Sequence, residues 1–236
     1  MRHDGRAADA LRPIGITPGF IETSAGSVLI AYGRTRVICT ANFSERVPGF
    51  LRDSGSGWVT AEYSMLPGST TERTDRSKAS GGRAQEISRL IGRSLRAVTD
   101  LKSLGPCLVN IDCDVIRADG GTRTAAITGA YVALYEALRS AVEKKNIPRI
   151  PLRTACAAVS VGIIEGTALL DLDYREDFRA EVDMNLVMDE AGNYIEVQGC
   201  AEGQPFSRNQ LDAMLDLGRK GTRALMHAQR ETLGLD

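Results

Sequence analysis

The stretch DVIRADGGTRTAAITGAYVALYEALRSA, residues 114–141, passes from an apolar strand-like segment through Gly120 and Gly121 to Thr122 and Arg123, then into a helix of small residues. A glycine turn at a helix start leaves backbone N–H groups unpaired at the positive end of the helix dipole, which favours phosphate or carboxylate. Arg123 adds a planar fork suited to a compact oxyanion. The lysine of G-x-x-x-x-G-K-[ST] and the spacing of G-x-G-x-x-G are both missing, so neither a nucleoside triphosphate cradle nor a dinucleotide site is supported. The pattern recurs where Gly81, Gly82 and Arg83 precede a second long periodic segment. One such turn is plain turn chemistry about as often as a site. Two of them, each with a nearby arginine, favour an oxyanion site.

A second concentration of chemistry is DLDYREDFRAEVDMN, with six carboxylates between Asp171 and Asp183. Acidic clusters are ordinarily solvated surface, and that is the default reading. Against it, Val182, Met184, Leu186 and Met188 alternate, which places Glu181, Asp183 and Asn185 together on the opposite face of a strand. Asp177 reaches that face if the chain bends around Phe178 to Ala180. Oxygen ligands in ones and twos, completed by waters and phosphates, are what Mg²⁺ prefers. Zinc is not supported, because the chain has two histidines, His3 and His227, and no cysteine cluster. Neither histidine neighbours a plausible nucleophile, and His227 reads as packing or surface. A polar stretch before the first long helix carries Arg73, Arg76, Lys78 and Arg83, followed by Arg89, Arg93 and Arg96. Without interleaved aromatics it would grip nucleic-acid phosphates rather than read bases, the plain alternative being a solvated loop.

These residues need a scaffold, and the chain is long enough for one. Its 236 residues carry 29 Lys+Arg against 30 Asp+Glu, so a nucleic acid must be held by a local patch rather than by the field of the whole molecule. Hairpins are expected about Gly33-Arg34, about Glu165-Gly166 and across 189–193, and further strands in GWVTAEYSML and CLVNIDCDVIR. In the latter, Val109, Ile111, Cys113 and Val115 would face a core. Helical spacing predicts a helix over 84–102, a second helix of small residues is expected over 123–145, and a last one starts on a Ser207/Gln210 capping box. The prolines of NIPRIPLR separate a first half, 10–145, from a second, 152–230. The expected fold is α+β, two similar strand-plus-helix halves sharing one core in a single domain. The five cysteines, none in a C-x-x-C pair, read as buried free thiols of a reducing compartment. Trp58 reads as a core or interface anchor. The polar start of the chain and the short apolar runs lead us to expect a soluble, cytoplasmic protein.

Larger blocks then align in succession: DGRAADALRPI, GSVLIAYGRTRVICTA, GSGWVTAEYSMLP, GRAQEISRLIGRSLRAV, IDCDVIRADGGTRTAAITGA, DLDYREDFRAEVDMN and VQGCAEGQPFSR. Over nearly its whole length the chain resembles the RNase PH family of phosphate-dependent 3′ exoribonucleases, also called tRNA nucleotidyltransferases. The resemblance implies two βαβ-type halves per chain and a homohexameric ring, a trimer of dimers. It implies attack of inorganic phosphate on the last phosphodiester of a tRNA precursor, with release of a nucleoside diphosphate, and the reverse addition of nucleotides. By position, Arg83 and Gly121-Thr122-Arg123 would hold the phosphate. Asp177 and Asp183 would be catalytic and hold Mg²⁺, and Arg73 and Arg76 would touch the RNA. The chain departs from many relatives in carrying Gly68, not arginine, just after the Leu-Pro of MLP, and in a shorter, less basic loop. A non-catalytic ring subunit would lack the phosphate and metal residues retained here, and a small-molecule kinase would need the absent triphosphate cradle.

Overall fold

The computed structural model describes residues 2–73, 75 and 81–235. Strands β1 (Ile14–Pro18), β2 (Gly26–Tyr32), β3 (Thr35–Ser44), β4 (Trp58–Met65) and β5 (Leu108–Arg117) form a sheet in the order β1-β2-β3-β5-β4. β4 is parallel to β5, so the chain must cross over between them, and α1 (Gly82–Val98) and α2 (Leu101–Leu104) make that crossing. Helix α3 (Thr122–Glu143) follows. The second sheet, β7-β6-β8-β9, is antiparallel throughout and contains β6 (Cys156–Ile164), β7 (Thr167–Leu170), β8 (Val182–Asp189) and β9 (Tyr194–Ala201). The one-turn helix α4 (Tyr174–Asp177) interrupts the path from β7 to β8, and α5 (Arg208–Leu233) packs on β6 and β7.

One core serves both sheets, because α3 lies against β2 and β3 on one side and β6 on the other. Every residue from Thr124 to Leu134 is buried, as a helix enclosed on all sides requires. Small residues allow this closeness: a Cβ on Gly129 would come within 2.7 Å of Ile30 Cγ2. Across the seam, the buried Tyr32 hydroxyl donates to Thr128 Oγ1 at 2.8 Å and to the Ala158 carbonyl at 3.2 Å.

The predicted hairpins and the β5 alternation are present, with Val109, Ile111, Cys113 and Val115 all buried. The capping box of Ser207 and Gln210 starts α5. The helix expected over 84–102 stops at Val98. Thr99 leaves it in an extended conformation to pair with Leu152, and Asp100 then caps α2 by accepting from the Ser103 N–H. The short elements β1, α2 and α4 carry too few residues to show a period. Four cysteines are buried free thiols, but Cys200 is exposed, because it lies on the edge strand β9. Trp58 is half-buried, with the Arg96 guanidinium 4.4 Å from its ring centre and Phe50 edge-on at 5.4 Å. His227 is on the surface beside Glu231. No helix among the described residues is long and apolar enough to cross a membrane.

Candidate active site

β5 delivers the chain to the glycine turn, where Gly120 and Gly121 have φ of +75° and +66° and therefore occupy the left-handed region. A Cβ on Gly120 would stand 2.6 Å from the backbone of Leu172 and Asp173, so glycine is required twice over, by conformation and by space. Thr35 clamps the turn: its Oγ1 accepts from the Asp119 N–H at 2.9 Å and donates to the Gly120 carbonyl at 2.7 Å. Among the described residues no side chain caps α3, which leaves its first-turn N–H groups open to an anion. The Tyr63 hydroxyl of β4 donates to Thr122 Oγ1 at 2.8 Å. Arg123 donates through Nη1 to Gln198 Oε1 at 2.8 Å and lies 3.6 Å from Glu86 Oε1, to which Gln198 in turn donates at 2.9 Å. One end of the arginine fork is thus aimed by α1 and β9, while its other nitrogens meet no acceptor among the described residues.

On the facing side, β8 buries Val182, Met184, Leu186 and Met188, and Asp183 and Asn185 point away from them, as the alternation predicts. Val187 is buried as well, next to an irregularity in the β8–β9 register. Asp177 is the last residue of α4, a single turn held by a full capping box between Asp173 and Glu176. The bend required after Asp177 is made by the Phe178 and Ala180 N–H groups, which donate back to the Tyr174 and Asp177 carbonyls before Glu181 joins β6.

The surface reading of the acidic cluster fails for three of its members. Asp171, Asp173 and Glu176 are buried. Arg2 grips both oxygens of Glu176 at 2.7 and 2.6 Å, and Arg12 pairs with Asp171 at 2.7 Å. His3, Asp173 and Glu176 have ligand atoms close enough to hold a metal, but the Glu176 oxygens are committed to Arg2 and Asp173 Oδ1 to two backbone N–H groups.

Electrostatics shows which groups converge. Asp177 has an accessible edge, yet the protein around it raises its carboxyl above the ordinary range, and the negative charge of Asp183 raises it further. Arg83, Arg123 and Arg12 pull the other way. Burial likewise raises the Tyr63 hydroxyl, against the pull of Arg83 and Arg123. Two mutually repelling carboxylates facing arginines make an oxygen donor set that fits a hard divalent cation with water or phosphate in its remaining positions. Arg83, Gly121, Thr122, Arg123, Asp177 and Asp183 therefore come together at one place, though they arise from four elements spread over the chain. Arg83 is exposed in the first turn of α1.

Arg73 is exposed in the loop after β4 and joins none of these interactions, and Arg76 lies outside the described residues. Sequence reasoning missed Tyr63, Glu86, Gln198, Arg12 and Asp171 as individuals. Gln198 was the most accessible of these, since it sits opposite Asn185 on the strand next to Asp183.

Residues 10–139 match the model of the 3′ exoribonuclease family, domain 1, and residues 154–221 match domain 2. The chain belongs to the 3′ exoribonuclease family. Within that family it is 57% identical over 237 residues to Ribonuclease PH of Corynebacterium efficiens, covering 99% of this chain and 97% of the relative. It is 54% identical, with the same coverage, to Ribonuclease PH of Corynebacterium glutamicum. In fold it resembles rice Rrp46, with a TM-score of 0.81 at 20% identity over 98% of this chain and 100% of the other. It also resembles a chain of the Archaeoglobus fulgidus exosome with RNA bound to the active site, with a TM-score of 0.83 at 22% identity over 96% and 92%. The α+β architecture with two sheets around one core is the fold of this family.

Proposed function

We propose that this member of the 3′ exoribonuclease family is a phosphate-dependent 3′–5′ exoribonuclease. It trims the 3′ ends of tRNA precursors, releases nucleoside diphosphates, and adds nucleotides when run in reverse. The observation that carries this reading is the convergence of Arg83, Arg123 and the open start of α3 upon Asp177 and Asp183. An in-line displacement at phosphorus is catalysed chiefly by alignment of the attacking and leaving oxygens and by neutralisation of charge. The N–H groups at Gly121 to Arg123 and the Arg123 fork orient orthophosphate, and Arg83 adds a second cation. Because Thr122 Oγ1 accepts from Tyr63, its own hydrogen is free for donation to the anion. Asp177 and Asp183 would hold Mg²⁺, which when bound supplies charge stabilisation at the phosphoryl oxygens.

The working form in this reading is a hexameric ring, a trimer of dimers, in the cytoplasm, with Arg73 and Arg76 offered to the tRNA backbone. The likeness of the chain to an exosome subunit supports the ring. Asp183→Asn tests the chemistry, since it keeps size and hydrogen bonding but removes the charge. Phosphorolysis and synthesis cross one transition state, so both should fall steeply while fold and assembly persist. Near wild-type rates in both directions at saturating Mg²⁺ would remove Asp183 from the site.

A further inference from the structure

The proposed reaction draws its phosphate donors from the first half of the chain and its aspartates from the second, so something must fix the distance between the two. Beside the glycine turn, the seam is spanned by Arg12. Its backbone N–H and Nε both donate to Asp171 Oδ2, at 2.8 and 3.0 Å, and Nη2 donates to Asp171 Oδ1 at 2.7 Å. The other edge of the same guanidinium reaches the glycine turn, where Nη1 donates to the Asp119 carbonyl at 2.6 Å. The side chains of Arg12 and Asp171 are 4% and 0% exposed. From Asp171 the path to the catalytic side is short. Leu172 N–H donates to Ser160 Oγ, Asp173 caps α4, and the Asp177 N–H donates to the Asp173 carbonyl at 2.8 Å.

Stability alone is a poor reason for this arrangement. A buried ion pair loses in desolvation most of what it gains in attraction, and apolar residues of the same volume often serve a fold equally well. What apolar residues lack is a planar fork that binds a carboxylate along one edge and a backbone carbonyl along another. Lysine lacks it too, being a point charge. We propose that Arg12, through its buried pair with Asp171, is a positioning residue that sets the spacing between the phosphate-binding turn of α3 and the catalytic Asp177. This inference rests on the phosphorolytic reading above.

The test compares wild type, Arg12→Lys and Thr35→Val, each with its unfolding midpoint, its kcat, its KM for phosphate and the affinity of inorganic phosphate in the absence of RNA. Arg12→Lys keeps the charge and loses the fork. It should lower kcat by about 10- to 100-fold and raise KM for phosphate, since misplacement of reacting groups by about 1 Å has effects of that size. If Arg12→Lys shifted only the unfolding midpoint and left kcat and KM per folded molecule unchanged, the role would be merely structural and the inference overturned. Should Arg12→Lys fail to fold, Thr35→Val decides. It loosens the same turn without altering a charge, so it should weaken phosphate affinity, and an unchanged affinity would overturn the inference. Wild-type cleavage that ignored phosphate would instead overturn the phosphorolytic reading, and Arg12 would then be judged on kcat alone.

Discussion

Helices α1 and α3 each start on a Gly-Gly pair with an arginine within two residues, and the two starts are built in opposite ways. Before α3 both glycines are left-handed, the backbone of Gly120 is pressed against residues 172–174, Thr35 holds the Gly120 carbonyl, and Arg12 holds the carbonyl of Asp119. Before α1, Gly81 is extended with φ of −66° and ψ of 170°, a Cβ on Gly82 would meet nothing within 4 Å, and Arg83 is exposed. The glycines of α3 are thus demanded by packing, and those of α1 only leave the chain open. In the proposed site one wall is preorganised, and orthophosphate meets donors that need no rearrangement. The other wall is an exposed cation in the first turn of α1.

Breaking the rigid wall should have the largest effect. Gly120→Ala forces a side chain into the left-handed region and into the backbone of the second half, and should cost about 2–5 kcal/mol of stability by denaturant unfolding. Tolerance of alanine there would mean that the turn is not locked. Removing the fork while sparing the scaffold comes next. Arg123→Ala should lower kcat/KM for phosphate by about 2–4 kcal/mol of transition-state stabilisation, as loss of one strong oxyanion donor does. An unchanged phosphate dependence in a folded variant would take Arg123 out of the site.

A smaller effect on stability is expected on the acidic side. Burial and Asp183 hold the Asp177 carboxyl above its ordinary range, so ionisation at neutral pH works against the folded state. For a group raised in this way, the stabilising contribution is complete below its unfolded pKa and is lost as pH rises through the folded one. Asp177→Asn should therefore raise Tm at pH 7 while abolishing turnover, and its advantage should vanish as pH falls below the ordinary aspartate range. A Tm below wild type at pH 7 would show that the arginines outweigh burial and repulsion. Smallest of all, Gly82→Ala in the open wall should leave turnover unchanged and stabilise by up to about 1 kcal/mol, because alanine fits a helix start and restricts the unfolded chain. A loss of activity there would mean that α1 also needs its glycine.

The same contrast marks where the sequence was legible. Periodicity exposed α1, β5 and β8 because each buries one face over many residues, and the alternation from Val182 to Met188 puts Asp183 on the correct side. Gly121-Thr122-Arg123 was visible because a turn entering a helix has a local signature. Arg12 and Asp171 were invisible for the opposite reason. They meet across 159 residues, and a buried arginine has no mark in composition until its carboxylate is found. Tyr63 looks like one more core residue of β4, and Gln198 lies in the edge strand β9, where no alternation marks a face. The end of α1 was misread because Thr99 leaves the helix to pair with Leu152, a partner far along the chain.

In the proposed reaction the anion gathered by Arg123 and the α3 start is the nucleophile. This role is tested most directly by incubating the purified protein with a 3′-extended tRNA, Mg²⁺ and labelled orthophosphate, and identifying the released nucleotide. Phosphorolysis yields nucleoside diphosphate with the label in its β-phosphate, at a rate that saturates with phosphate and falls to background without it. Nucleoside monophosphate formed at an undiminished rate in phosphate-free buffer would contradict it, because water would then be the attacking group.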